Sequence, residues 1–137
     1  MIGAWTWIKG KEYFVTTPYE RRNYAGAKQF CKRIGGKLFE PYAPQHNDDI
    51  LIPARMQKAK RFWIGILEKN RTGSFVYASN GQRVCRENWQ KNEPNDYDSG
   101  EDCVEMRDQT TSILIPGKWN DYFCNAEKPF ACERAST

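Results

Sequence analysis

At 137 residues the chain has the length of one domain and enough residues to bury a core, and its net charge of +4 is modest. Lys and Arg are scattered, at positions such as 58, 60, 61, 69 and 71 and in the pair Arg21-Arg22, so no run argues for nucleic-acid binding. No stretch approaches the roughly 18 apolar residues of a membrane span, which argues against insertion.

Aromatic residues make up 14% of the chain, with five Trp, which points to an aromatic-rich core. Tyr13-Phe14-Val15 reads as an N-terminal strand closed by Thr17-Pro18. Asn23 reads as a helix N-cap, and Tyr24, Ala27, Phe30, Cys31 and Ile34 follow at helical spacing. Gly35-Gly36 can take the left-handed conformation that ends a helix, so helix one is expected over residues 23–34 with Cys31 on its buried side. After a brief extended piece at residues 37–40, Pro41 and Pro44 force a turn. Asn47-Asp48-Asp49 puts acidic residues at the start of a second helix, which Pro53 must kink or divide. His46, the one histidine, reads as a surface or capping residue.

Phe62-Trp63-Ile64-Gly65-Ile66 is a continuous apolar run and reads as a buried strand, with Trp63 in the core. Residues 68–74 are a polar loop, Phe75-Val76-Tyr77 a further strand, and Asn80-Gly81 a turn. From Arg83 to Lys118 only Val104-Glu105-Met106 alternates as a strand does. A long irregular stretch inside one domain tends to be functional. Residues 118–123 and 130–133 read as closing strands.

The five cysteines, at 31, 85, 103, 124 and 132, form no CxxC pair and stand far from His46. That favours disulfides over zinc and an oxidising, extracellular compartment, with one cysteine left over. The first residues, Met-Ile-Gly-Ala-Trp-Thr-Trp, have neither the basic nor the apolar region of a leader, so a secreted chain is expected here in mature form with Met1 an added start.

Residues 93–103 read Glu-Pro-Asn-Asp-Tyr-Asp-Ser-Gly-Glu-Asp-Cys, with five carboxylates in eleven residues. Seven of the eleven are Pro, Gly, Ser, Asn or Asp, so a structured loop is favoured over helix or strand. Charges this dense repel unless a cation sits among them, and oxygen-only donors point to a hard ion, best Ca2+. A solvated acidic loop would need no ion. The second acid–amide pair, in Trp119-Asn120-Asp121 just before Cys124, tips the reading toward the ion.

These residues resemble a C-type lectin domain over roughly residues 12–133. The likeness is carried by Cys31 on the first helix, Trp63-Ile64-Gly65-Ile66, Asn88-Trp89, Glu93-Pro94-Asn95, Gly100-Glu101-Asp102-Cys103, Trp119-Asn120-Asp121, Cys124 and Cys132, in the family's order. The resemblance implies an α+β double-loop fold: paired terminal strands, two helices flanking small antiparallel sheets, and a long calcium-binding loop, all in one domain. It implies disulfides Cys31–Cys132 and Cys103–Cys124. It also implies Glu93, Asn95, Glu101, Asn120 and Asp121 as ligands of a principal Ca2+, with sugar bound through the same five residues. Glu93 with Asn95 would serve one sugar hydroxyl and Glu101 with Asn120 the next. Pro94 is expected cis, aiming its neighbours' oxygens at one ion. Glu-Pro-Asn implies mannose-type sugars (mannose, fucose, N-acetylglucosamine, glucose), where Gln-Pro-Asp would imply galactose. Tyr97 either lies against the sugar's apolar face or is a surface residue. Trp89 and Trp119 are expected in the core.

An auxiliary Ca2+ site would fall on Glu68, Asp96 and Asp102, but Thr72 stands where the family has an acid, so this site is expected weak or absent unless Asn70 compensates. Asn70-Arg71-Thr72 is also an N-glycosylation sequon. Ile113-Leu114-Ile115 is expected to tuck under the long loop; the alternative is a contact patch. Cys85 has no partner in the family pattern and implies a free thiol or a link between two chains, hence a disulfide-bonded or non-covalent homodimer. With one His and no paired nucleophile and base, an enzyme is disfavoured. The expectation is a secreted lectin for mannose-type glycans on cell or microbial surfaces. The rival is a protein- or surface-binding adhesion module of the same fold that does not use monosaccharides.

Overall fold

In the computed structural model, residues 4–69, 72–94, 102–110 and 115–136 are described. Strand β1 (Thr6–Ile8) turns through Lys9-Gly10 into β2 (Lys11–Val15), which pairs antiparallel with the last strand, β8 (Ala131–Ala135), setting Phe14 opposite Cys132. A short strand β3 (Lys37–Leu38) lies on the other side of β8, giving the order β1-β2-β8-β3. The chain's terminal strands therefore lie side by side, as expected. β1 goes unseen in the sequence. Three residues carry too little pattern, and this strand depends on its pairing with β2 and on Trp7, whose indole N–H donates to Ser136 Oγ at 3.0 Å.

Helix α1 (Tyr24–Arg33) begins and ends where its caps predict. The Asn23 side chain accepts from the Gly26 N–H at 2.9 Å. At the other end Gly35 takes φ +91°, letting the Gly35 and Gly36 N–H groups bond back to the carbonyls of Lys32 and Cys31 at 3.1 and 2.8 Å. Tyr24, Ala27 and Cys31 form the buried stripe, and the Cys31–Cys132 disulfide ties it to β8.

The second helical region starts earlier than expected, at Pro44, so that Asn47-Asp48-Asp49 ends its first helix instead of starting it; the region is divided into α2 (Pro44–Asp49) and α3 (Leu51–Met56), with the break at Ile50. Pro53 is the cause: it has no N–H for the Asp49 carbonyl, and its ring crowds that oxygen. His46 proves to be a cap. Its Nδ1 accepts from the Ala43 N–H at 3.2 Å while its own N–H donates to the Ala43 carbonyl at 3.0 Å. Burial, with Lys11 nearby, lowers the His46 pKa from its usual range, in keeping with a neutral acceptor.

The second sheet runs β5-β4-β6-β7, from β4 (Arg61–Glu68), β5 (Phe75–Tyr77), β6 (Cys103–Arg107) and β7 (Lys118–Tyr122). The unbroken apolar run of β4 has a direct explanation, because this strand serves two cores. Phe62, Ile64 and Ile66 pack into a cluster with Phe39, Ile50, Met106 and Trp119. Trp63, pointing the opposite way, packs with Phe14, Tyr24, Phe130 and the Cys31–Cys132 bridge. Gly65 is required where β4 crosses residues 38–40. A Cβ there would lie 2.8 Å from both Glu40 Cγ and the Leu38 carbonyl oxygen, and the Gly65 N–H donates to the Phe39 carbonyl at 2.6 Å. β4 reaches Glu68, opposite Phe75, one residue into what the sequence reads as loop.

Candidate functional site

The site is built where an irregular strip is sewn to β7. The Trp119 N–H donates to the Asn88 carbonyl at 2.9 Å, and the Gln90 N–H donates to the Trp119 carbonyl at 2.8 Å. Asn88 is itself held at both ends of its amide: its Nδ2 donates to the Gly117 carbonyl at 2.7 Å and its Oδ1 accepts from Lys118 Nζ at 2.9 Å. Beneath the strip, the Trp89 ring meets Phe75 and Trp119 edge-on, with centroids 4.7 and 5.5 Å apart. Trp119 is fully buried, its indole N–H donating to Asn47 Oδ1 at 2.8 Å. Both tryptophans are thus framework, as expected from the sequence.

One turn further along, the Glu93 N–H bonds to the Gln90 carbonyl at 2.9 Å, and the Glu93-Pro94 peptide bond is cis, as expected. Glu93 is half-buried, while Asn120 and Asp121, which follow the anchored Trp119, are buried. The strip therefore brings Glu93 to the segment that carries Asn120 and Asp121. On the other side β6 pairs with β7 in the register Val104↔Asp121 and Glu105↔Asn120, and the Cys103–Cys124 disulfide closes that hairpin. Asn95, Glu101, Tyr97 and Asp96 lie outside the described residues, as does Asn70 of the sequon.

Two of the residues expected at an auxiliary site meet through the backbone, the Glu68 N–H donating to the Asp102 carbonyl at 2.7 Å. Glu68 Oε2 accepts from the Gly73 N–H at 2.7 Å. The Thr72 hydroxyl is engaged locally, donating to the Lys69 carbonyl at 2.6 Å and accepting from the Ser74 N–H at 3.3 Å. Cys85 is an exposed free thiol, and Ile115 is 58% exposed. The latter departs from the expected tucked loop; Ile113 and Leu114 lie outside the described residues.

Sequence reading misses the charge cluster beneath the site. Glu105 looks like the outward residue of the alternation Val104-Glu105-Met106, yet it is wholly buried. Its carboxylate accepts from Arg61 Nη2 at 2.7 Å, Arg107 Nε at 3.0 Å, Lys128 Nζ at 2.8 Å and Asn120 Nδ2 at 2.9 Å. Burial alone would raise the Glu105 pKa, but the Arg61 and Lys128 bonds outweigh it and hold it below the usual value. Lys128 is lowered, by burial together with the like charges of Arg61 and Arg107, because one carboxylate serves three cations. No local pattern signals this cluster, since its cations come from β4, β6 and the segment before β8.

Glu93, Asn120 and Asp121 offer only carboxylate and amide oxygens, which fit a hard cation such as Ca2+ and not a soft one. Among the described residues no helix is long and apolar enough to cross a membrane.

The family model of the Lectin C-type domain matches residues 20–134. Collectin-10 of Xenopus tropicalis is 35% identical over 123 residues, covering 90% of this chain and 42% of that protein, so the chain spans about two fifths of this collectin's length. Salivary C-type lectin 2 of Aedes albopictus is 31% identical, covering 85% of this chain and 80% of that one. The C-type carbohydrate-recognition domain of cow CD23, solved in the presence of a GlcNAc2Man3 oligosaccharide, superposes with a TM-score of 0.79 at 30% identity, over 98% of this chain and 95% of that one. The mouse scavenger receptor C-type lectin carbohydrate-recognition domain shares the fold, with a TM-score of 0.81 at 22% identity over 97% of this chain and 94% of that one. With the paired terminal strands, both disulfides and this family match in agreement, the chain belongs to the C-type lectin domain family, a family of carbohydrate-binding proteins and not of enzymes.

Proposed function

We propose that the chain is a calcium-dependent lectin that binds mannose-type sugars (mannose, fucose, N-acetylglucosamine) on cell or microbial surfaces and works outside the cell. The observation that supports this reading is the hydrogen-bonded path from Trp119 through Gln90 to Glu93, which joins the segment of Glu93 to the strand that carries Asn120 and Asp121. Asn95 and Glu101 complete the five-residue set in this reading. Bound Ca2+ supplies open coordination positions at which two neighbouring sugar hydroxyls replace water. The chain's own part is to orient those hydroxyls. Glu93 and Glu101 accept their protons in charge-assisted bonds, and the amides of Asn95 and Asn120 donate to their oxygens. The order Glu93-Pro94-Asn95 sets which side accepts and which donates, and so selects mannose-type over galactose-type hydroxyl geometry. In this reading Tyr97 is the residue that serves the sugar's apolar face.

The auxiliary site at Glu68, Asp96 and Asp102 is weak in this reading, because the Thr72 hydroxyl is already engaged with Lys69 and Ser74. Cys85 joins two copies, and the paired sites raise avidity for crowded glycans. Non-reducing electrophoresis that returns a monomer with one titratable thiol removes the disulfide-linked form.

Retention on mannose-agarose in Ca2+, with elution by a chelator, is the expected result, beside no retention on galactose-agarose. Retention on galactose alone would keep the site and reject the specificity. The exposed Ile115 favours one second reading, an adhesion module with a protein partner. Absence of retention on either resin, by folded protein in Ca2+, supports that reading instead.

A further inference from the structure

We propose that Glu105 is a positioning residue that fixes the Asn120 amide for the ion and the sugar, an inference that rests on the functional reading above. Glu105 and Asn120 are direct cross-strand partners, so their side chains leave the sheet on the same face. An ionised carboxylate can only accept hydrogen bonds. The group of Asn120 that meets Glu105 Oε2 at 2.9 Å is therefore its NH2. A flipped amide would press Oδ1 against a buried carboxylate oxygen, leaving two acceptors face to face without a proton between them. The flip is closed off, and Oδ1 is held on the edge of the amide away from Glu105.

One of the two Nδ2 protons is used by Glu105. The carbonyl oxygen and the second proton remain, and these are the two functions the site asks of Asn120: an oxygen for the cation and an N–H for a sugar hydroxyl. The carboxylate that sets this orientation is itself anchored. Arg61 reaches it with Nε at 3.1 Å and Nη2 at 2.7 Å, while Arg107 and Lys128 close in at 3.0 and 2.8 Å. Anchors on β4, on β6 and ahead of β8 leave the Glu105 headgroup no free rotation to pass on to Asn120.

The test compares Glu105→Gln with Glu105→Met. Both variants lose the same charge, but only Gln retains an oxygen that can accept from Asn120. Calorimetric titration with CaCl2 alone, without sugar, is expected to show Ca2+ binding about tenfold weaker in the Met variant than in the Gln variant. Thermal midpoints in calcium-free buffer are read alongside. A purely structural Glu105 lowers both midpoints and leaves the two calcium affinities equal, and that result overturns the inference while sparing the lectin reading. Wild-type protein that binds no Ca2+ overturns the lectin reading and this inference with it. If the Met variant does not fold, the calcium-free wild type decides. A through-hydrogen-bond coupling between Asn120 Nδ2 and the Glu105 carboxylate carbon is expected, and its absence overturns the assignment.

Discussion

The Cys31–Cys132 bridge sits among aromatic rings, whereas at the β6–β7 pair a buried carboxylate gathers three cations. In the first region Phe30 packs on Phe14 and Phe130 at 6.1 and 5.1 Å between centroids, and Tyr24 meets Trp63 edge-on at 5.4 Å. In the second, Glu105 gathers Arg61, Arg107 and Lys128, and Lys128 Nζ also sits 3.8 Å from the centre of the Tyr122 ring. Apolar packing is non-directional, so it can stabilise a frame without fixing any one atom's direction. Hydrogen-bonded charge is directional, at the cost of desolvation. A site that must aim particular oxygens is better supported by the second kind of contact, and the frame that only has to persist is built from the first.

The sharpest way to break this contrast is to remove the disulfides one at a time. Replacing Cys31 and Cys132 by Ala opens a link across 101 residues and is expected to remove about 4–5 kcal/mol of unfolding free energy, measured in urea. The same change at Cys103 and Cys124, 21 residues apart, is expected to remove about 3 kcal/mol, yet to weaken Ca2+ binding more. Equal effects of the two on calcium affinity would erase the distinction between frame and site.

Gly65→Ala tests the frame where β4 crosses residues 38–40. With the new methyl 2.8 Å from Glu40 Cγ and the Leu38 carbonyl oxygen, a loss of about 1–3 kcal/mol is expected in the same urea experiment. Asn23→Ala removes the α1 cap and should lower stability by about 1 kcal/mol with calcium affinity unchanged. A calcium effect there would show that the two regions are coupled.

The smallest effect concerns His46. Its pKa is lowered in the fold, so as pH falls the unfolded chain takes up the proton first. The neutral cap's contribution is present above the unfolded value of about 6.5 and is lost as pH drops toward the lower folded value. Lys11 adds to this lowering, while Glu133 and Asp49 oppose it. His46→Gln keeps an acceptor that does not titrate, so the thermal midpoint of the variant should decline less than that of wild type between pH 7 and 5.

The two regions also differ in how far the sequence discloses them. α1 is legible because everything that makes it is local: Asn23, an apolar stripe at helical spacing, and a glycine pair. The break at Ile50 is legible through Pro53 for the same reason. The acidic segment and Trp119-Asn120-Asp121 announce their chemistry by composition, and the family resemblance supplies their partnership. Burial of Glu105 is invisible, because it depends on a strand register and on cations drawn from three separate places. The exposure of Ile115 is equally hidden, since an aliphatic run reads the same whether it is covered or bare.

The Cys31–Cys132 bridge has a mechanical consequence. β2 and β8 pair antiparallel, and the bridge leaves β8 itself at Cys132, the residue opposite Phe14, to reach Cys31 on α1. Tension applied between the chain's ends can peel the terminal strands and draw out the segment before Cys31, but it then passes through the sulfur–sulfur link. Residues 88–121, which carry the proposed site, lie between the bridged cysteines and off that load path.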